Sequence, residues 1–189
     1  MKVINTPHIG ELVNVTYAVG EILFEAVFSS RGIRMLYPRG PLPVNLEMRA
    51  NAIPVSFEIH RAGFPAEPMG THIRQVARYL GMLFNSTKPD LIPQFDLSGL
   101  SKTQARVLTN TLKIPFGETR SYFWLTELSG IPKGYRAIGR LLGGNPVPIL
   151  IPCHRVIRAN GEIGGYRLGV DFKKTLLELE RKALKRQES

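Results

Sequence analysis

A chain of 189 residues, 43% of them hydrophobic, can bury a real core, which excludes a disordered polypeptide. No stretch approaches the roughly 18 uninterrupted apolar residues of a membrane span, the opening Met-Lys-Val-Ile-Asn-Thr-Pro-His has no apolar signal-peptide core, and a single cysteine cannot close an internal disulfide. A soluble protein of a reducing, intracellular compartment (cytoplasm, nucleoid or nucleus) with no membrane partner is therefore expected. The net charge of +10 sits almost wholly in the second part of the chain, where residues 101–189 carry sixteen basic and seven acidic side chains against nine and eight in residues 1–100. Such asymmetry fits a polyanionic partner such as nucleic acid, or a solubilising surface.

In chain order, residues 1–68 read as β-rich. Glu11–Val19 and Glu21–Phe28 carry β-branched and aromatic residues around Gly20, the pattern of a hairpin, with further strands at Gly32–Tyr37 and Val55–His60. Pro41, Pro43, Pro54 and Pro65 punctuate this region. From Thr71, a plausible cap, the period becomes helical, with Ile73, Val76, Ala77, Leu80 and Phe84 on one stripe. His8, His60 and His72 have no companions at ligand spacing, so no metal site is expected. Asn85–Leu100 reads as a partly packed linker. It divides a small N-terminal α/β domain (1–90), expected to be structural, from a C-terminal domain (91–189).

The second domain reads as mainly helical. Ser101 can cap a helix with Ala105, Leu108 and Leu112 inward, and Thr119 a second one that stops at Gly130. Pro132 suits the first turn of a third helix, ended by Gly143-Gly144. That helix carries Tyr135, Ile138, Leu141 and Leu142 on one stripe and Lys133, Arg136 and Arg140 on another. The pair fits a helix-turn-helix or an ordinary helical hairpin with a solvated basic face. The fold class is thus α+β.

Between these helices and the last one, starting near Asp171, lies Ile149-Leu-Ile-Pro-Cys-His-Arg-Val-Ile157. The apolar run reads as a buried strand or turn that fixes one thiol, Cys153, beside two cation-capable groups expected to lower its pKa. On a strand His154 would face away from the sulfur unless the chain turns there. Glu180 falls inside the apolar stripe of the last helix, where a charge needs a partner. It can orient His154 in a Cys–His–Glu relay or form a rim salt bridge with Arg181 or Lys185. A thiol protease uses the same residue types but leaves the basic half unexplained, whereas a soft thiolate also suits displacement at an sp3 carbon.

Pro152-Cys-His-Arg-Val156 resembles the active-site motif of the O(6)-alkylguanine-DNA alkyltransferases. Similar family blocks are Ile114-Pro-Phe-Gly-Glu-Thr-Arg-Ser-Tyr122, Arg136-Ala-Ile-Gly139, Asn145-Pro-Val-Pro-Ile-Leu-Ile-Pro152, Gly164-Gly-Tyr166, and Lys173 with Leu176-Leu-Glu-Leu-Glu180. The resemblance covers residues 96–182. It implies a monomeric suicide repair protein for double-stranded DNA, without cofactor or turnover, in which Cys153 keeps the alkyl group taken from the 6-oxygen of guanine. It also implies roles: His154 deprotonates Cys153 through a water, Glu180 orients His154, Asn145 supports the active-site turn, and Tyr122 helps protonate the leaving base. Ile151, Pro152, Gly164, Gly165, Tyr166 and Arg167 line the base pocket. Arg136 fills the gap left by the extruded base, with Lys133, Arg140, Tyr135 and Ser121 on the DNA, which is met from the minor groove. Phe123-Trp124 and Thr126 depart from the family pattern, which bears on substrate size, and with no second cysteine the zinc site of some members is expected to be absent. The alternatives are a non-enzymatic binder of alkylated bases, against which Cys153 speaks, and a DNA-binding regulator.

Overall fold

Alternation of apolar and polar residues drives the first half into a sheet with one buried face. In the computed structural model, which describes residues 12–40, 42, 55–60, 65, 67–132 and 134–187, the strands are β1 (Val13–Val19), β2 (Ile22–Ser29), β3 (Gly32–Arg39) and β4 (Val55–Ile59). They form an antiparallel sheet in the order β3-β2-β1-β4. Every second residue of the hairpin, from Val13 to Val19 and from Ile22 to Phe28, points into the core. The expected hairpin and both further strands are present. Pro41, Pro43, Pro54, His8 and Lys133 lie outside the described residues.

Helix α1 (Met69–Phe84) covers the sheet with Ile73, Val76, Leu80 and Phe84. The Tyr17 hydroxyl donates to the Ile73 carbonyl at 3.0 Å, and the Phe24 and Phe84 rings meet at 6.0 Å. Thr71 is not its cap. The helix starts two residues earlier, so the Thr71 amide is itself a first-turn donor without an intrahelical partner, and the Glu67 carboxylate accepts from it at 2.9 Å. The 85–100 segment is pinned rather than loose. The Ile33 amide of β3 donates to the Gln94 carbonyl and the Ile33 carbonyl accepts from the Asp96 amide, both at 2.9 Å, and the buried Asp96 carboxylate accepts from Ser29 and Ser98.

The second half holds α2 (Lys102–Thr111), α3 (Tyr122–Leu128), α4 (Tyr135–Gly143) and α5 (Val170–Gln187). Ser101 caps α2 as expected, accepting from the Gln104 amide at 3.2 Å. Ser121, not Thr119, caps α3 through the Trp124 amide at 3.1 Å. Pro132 lies in the turn before α4, whose cap is Gly134. Helices α3 and α4 pack as a helix-turn-helix pair. Asn110 of α2 steadies their turn by donating to the Leu128 carbonyl at 3.1 Å. The fold is α+β, and buried apolar residues of both halves join in one continuous core.

Candidate active site

The Ile149–Ile157 stretch is a turn, not a strand. Ile149 takes a left-handed backbone, φ 76°, a costly conformation for a β-branched residue. Cys153–Arg155 form a single 3-10 turn, and only Val156–Ile157 (β6) is extended, pairing in parallel with Arg120–Ser121 (β5). The rule that neighbours face opposite ways therefore does not apply, and Cys153, His154 and Arg155 are all buried.

Asn145 holds this turn together. Its amide nitrogen donates to the Ile151 carbonyl at 3.0 Å and to the Cys153 sulfur at 3.2 Å, and its oxygen accepts from the Val147 amide at 3.0 Å. Both ends of one buried side chain are thus committed, which fixes the sulfur in place.

The partner of Glu180 is the imidazole, not a rim cation. His154 Nε2 lies 2.8 Å from Glu180 Oε1, and both side chains are fully buried. Arg181 turns outward to Glu178. Three further donors converge on the Glu180 carboxylate: Arg155 Nε at 3.0 Å, Arg155 Nη2 at 2.9 Å and the Gly117 amide at 2.9 Å. Arg155 also donates to the Ile114 carbonyl at 2.8 Å and stacks over Phe116. Sequence reasoning placed Arg155 beside the thiol. The turn instead sends it to the carboxylate, which it clamps in the bidentate fashion suited to a guanidinium.

Burial sets the protonation states. It opposes the charge on Glu180, but His154 and Arg155 outweigh it and hold the carboxyl at about 2. Burial pushes the His154 imidazole down despite Glu180, so the ring is neutral. Its Nε2–H then faces the carboxylate, which leaves a lone pair on Nδ1, an atom with no hydrogen-bond partner among the described residues. Burial likewise pushes the Cys153 thiol up, against the smaller opposing effects of Asn145, Lys173 and Arg167. The expectation that neighbouring cations lower this pKa is therefore corrected: desolvation wins, and the resting group is a thiol.

Lys173 is a site residue that sequence reasoning left without a role. Fully buried, its ammonium donates to the Val156 and Ile163 carbonyls, both at 2.6 Å. It ties β6 to the loop bearing Gly164, whose φ of 69° suits glycine and which runs beside the Tyr122 ring. Burial pulls the Lys173 pKa down to about 8. Tyr122 is half-buried, and burial with the nearby Cys153 pushes its hydroxyl up, keeping it protonated.

A cavity of about 470 Å³ opens beside Tyr122, lined also by Phe123, Tyr135, Arg136, Arg158, Gly164 and Gly165. Of the expected pocket residues, Gly164 and Gly165 line it. Ile151 and Pro152 are buried and do not line it, Tyr166 stands edge-on to His154, and Arg167 donates to the Asn145 carbonyl at 3.2 Å. Arg136 and Arg140 are exposed on α4. Ser121 uses its hydroxyl as the cap of α3. Arg158 was missed; its only signal was its place two residues beyond the motif. Among the described residues no three His, Cys, Asp or Glu side chains gather as a metal site, and no helix is long and apolar enough to cross a membrane.

An α+β fold with a helix-turn-helix, and a buried cysteine followed in the same turn by a carboxylate-held imidazole, fit the class of DNA-associated proteins. Residues 102–182 match the family described as 6-O-methylguanine DNA methyltransferase, DNA binding domain. A methylated-DNA–protein-cysteine methyltransferase of Mycolicibacterium paratuberculosis is 38% identical over 161 residues, spanning 85% of this chain and 93% of its own. One from Mycobacterium leprae is 37% identical over 150 residues, 79% and 87% of the two chains. Among solved structures, Mycobacterium tuberculosis O6-methylguanine methyltransferase superimposes with TM-score 0.65 at 27% identity, covering 90% of this chain and 94% of that one. The Mycobacterium tuberculosis OGT solved in complex with DNA gives 0.58 at 29%, covering 85% and 88%. The chain belongs to the methylated-DNA–protein-cysteine methyltransferase family.

Proposed function

We propose that this protein repairs DNA by moving an alkyl group, typically methyl, from the 6-oxygen of guanine to the sulfur of Cys153. The observation that carries the reading is the pairing of the only cysteine with a neutral, carboxylate-held imidazole at consecutive positions of one buried turn. A thiol raised by burial is a poor resting nucleophile, so its proton must leave as the substrate is attacked. The His154 Nδ1 lone pair receives it through a bridging water, and Glu180 stabilises the imidazolium that forms. The sulfur–carbon bond forms as the carbon–oxygen bond breaks, and the electron pair of that bond goes to the base. Tyr122, still protonated, donates to the departing guanine, where negative charge grows. The thioether product has no route back to a thiol, so each molecule acts once.

A base inside a duplex cannot reach a buried sulfur and must be extruded, at a cost of a few kcal/mol. The cavity beside Tyr122 receives it, and Arg136, exposed on α4, fills the space it leaves. Residues 91–189 perform the chemistry and residues 1–90 support them. Intact-mass measurement after incubation with duplex DNA carrying O6-methylguanine is expected to find one added methyl group per molecule, on the peptide containing Cys153. Cys153→Ala is expected to bind the same DNA and leave the lesion in place. Repair by that variant, or methylation elsewhere, would overturn the assignment.

A further inference from the structure

Two aromatic rings that line the cavity are also open to water. Phe123 is 52% exposed and Tyr135 46% exposed. They come from different helices, α3 and α4, and the helix-turn-helix brings their centroids to 6.4 Å with planes tilted by 32°. Of the three consecutive aromatics Tyr122-Phe123-Trp124, the first and last pack partly into the core and only Phe123 points outward. Both rings line the cavity with Arg136 and Arg158, and none of its lining residues is acidic.

We propose that Phe123 and Tyr135 form a ledge on which an unpaired nucleobase stacks, flanked by Arg136 and Arg158, so that single-stranded DNA is held by its bases as well as its phosphates. The inference rests on the DNA-repair reading and adds a ligand to the same face. Every base has a π-face, so stacking on aromatic side chains tolerates sequence, and arginines beside the rings match the phosphates that accompany each base. Arg158 is paired with Glu162, but both side chains are more than half exposed, and so open a pair is readily displaced by a phosphate. The alkyl group is a poor candidate for the ledge. It must point toward the buried Cys153, whereas the two rings are about half exposed to water.

The test compares two ligands by fluorescence anisotropy: a lesion-free single-stranded oligonucleotide, and a strand of equal length made of abasic sites. The Phe123→Leu/Tyr135→Leu double variant keeps apolar bulk but loses both flat rings. It is expected to bind the base-bearing strand about tenfold more weakly, within the range for losing one base–aromatic stack, and the abasic strand as the wild type does. Tyr135→Phe is expected to retain binding. Equal losses on both strands, or none on the base-bearing strand, would overturn the proposal. A second measurement needs no variant. Photocross-linking of the wild-type protein to a bromouracil-bearing single strand is expected to place adducts on Phe123 or Tyr135, and adducts only elsewhere would also overturn it. Methyl uptake by Cys153 is read separately by mass, so failure of the ledge leaves the transfer reading standing, and the reverse.

Discussion

Replacing Glu180 with glutamine removes the charge of a fully buried carboxylate held by four donors and leaves the shape nearly unchanged. The folded protein holds this carboxyl at about 2 against an ordinary glutamate value of 4.5. At about 1.4 kcal/mol for each tenfold in acidity, that difference sets an upper bound of roughly 3 kcal/mol near neutral pH, where the neutral His154 ring contributes a hydrogen bond and Arg155 the charge. A second route gives the same order. Removing one partner of a buried ion pair costs about 3–5 kcal/mol, because the other charge stays buried without compensation. Here the stranded charge is Arg155, whose side chain is 7% exposed.

The pH dependence identifies the cause. A depressed carboxyl pKa stabilises the fold above the unfolded value and ceases to do so as pH falls through the folded one. Urea denaturation of wild type and Glu180→Gln is therefore expected to show a gap of about 3 kcal/mol at pH 7. That gap should narrow as pH falls from 4.5 towards about 2. A gap below about 1 kcal/mol at pH 7, or one that does not change with pH, would refute the account. Methyl transfer by the folded variant is expected to slow by about a hundredfold or more, the usual scale for a mispositioned general base.

Asn145→Ala strands the Val147 amide and the Ile151 carbonyl in the core; we expect a loss of about 2–4 kcal/mol in chemical denaturation. Because burial holds the Cys153 thiol protonated, iodoacetamide should modify the free protein at pH 7 more slowly than it modifies a free cysteine, with the rate still rising above pH 9. A fast reaction at neutral pH would mean that the resting group is a thiolate. Arg140→Ala should weaken binding to all DNA sequences alike and reduce the slope of log K against log salt by about 0.9.

The fold was legible wherever periodicity and burial coincide. The hairpin, both further strands, α1 and the Ser101 cap all follow from patterns within a few residues. Element starts were less legible, because several capping groups compete locally: Glu67 serves the Thr71 amide, and Ser121 displaces Thr119. The site was legible as a set of residue types, and Cys153, His154, Glu180 and Asn145 do come together. What the linear pattern hid was direction. A run that reads as a buried strand or turn takes the turn, through the left-handed Ile149 and the following 3-10 turn, which sends Arg155 to the carboxylate rather than to the sulfur. Lys173 was obscured for a related reason. A lysine is rarely fully buried, and its role arises only when two distant carbonyls, Val156 and Ile163, converge on it.

The β-rich half also touches this machinery. The Leu36 amide of β3 donates to the Pro146 carbonyl at 2.9 Å, next to the asparagine that fixes the sulfur. Tyr79 of α1 lies in the field of Arg155 and Glu180, with its hydroxyl pushed up to about 12 by burial. Helix α1 thus walls the Arg155–Glu180 network through Tyr79, and the sheet is bonded to the chain beside Asn145. A substitution confined to this wall should act on the chemistry through position alone. Tyr79→Phe keeps the ring and removes the hydroxyl near Arg155, so its expected cost is small, about 1 kcal/mol. Tyr79→Ala opens a cavity against the guanidinium and is expected to lower stability by about 3–5 kcal/mol. It should also slow methyl transfer, while DNA affinity, which we assign to α4, stays unchanged. If Tyr79→Ala weakens DNA binding as much as it slows transfer, the first half shapes the DNA surface as well as the wall behind Arg155.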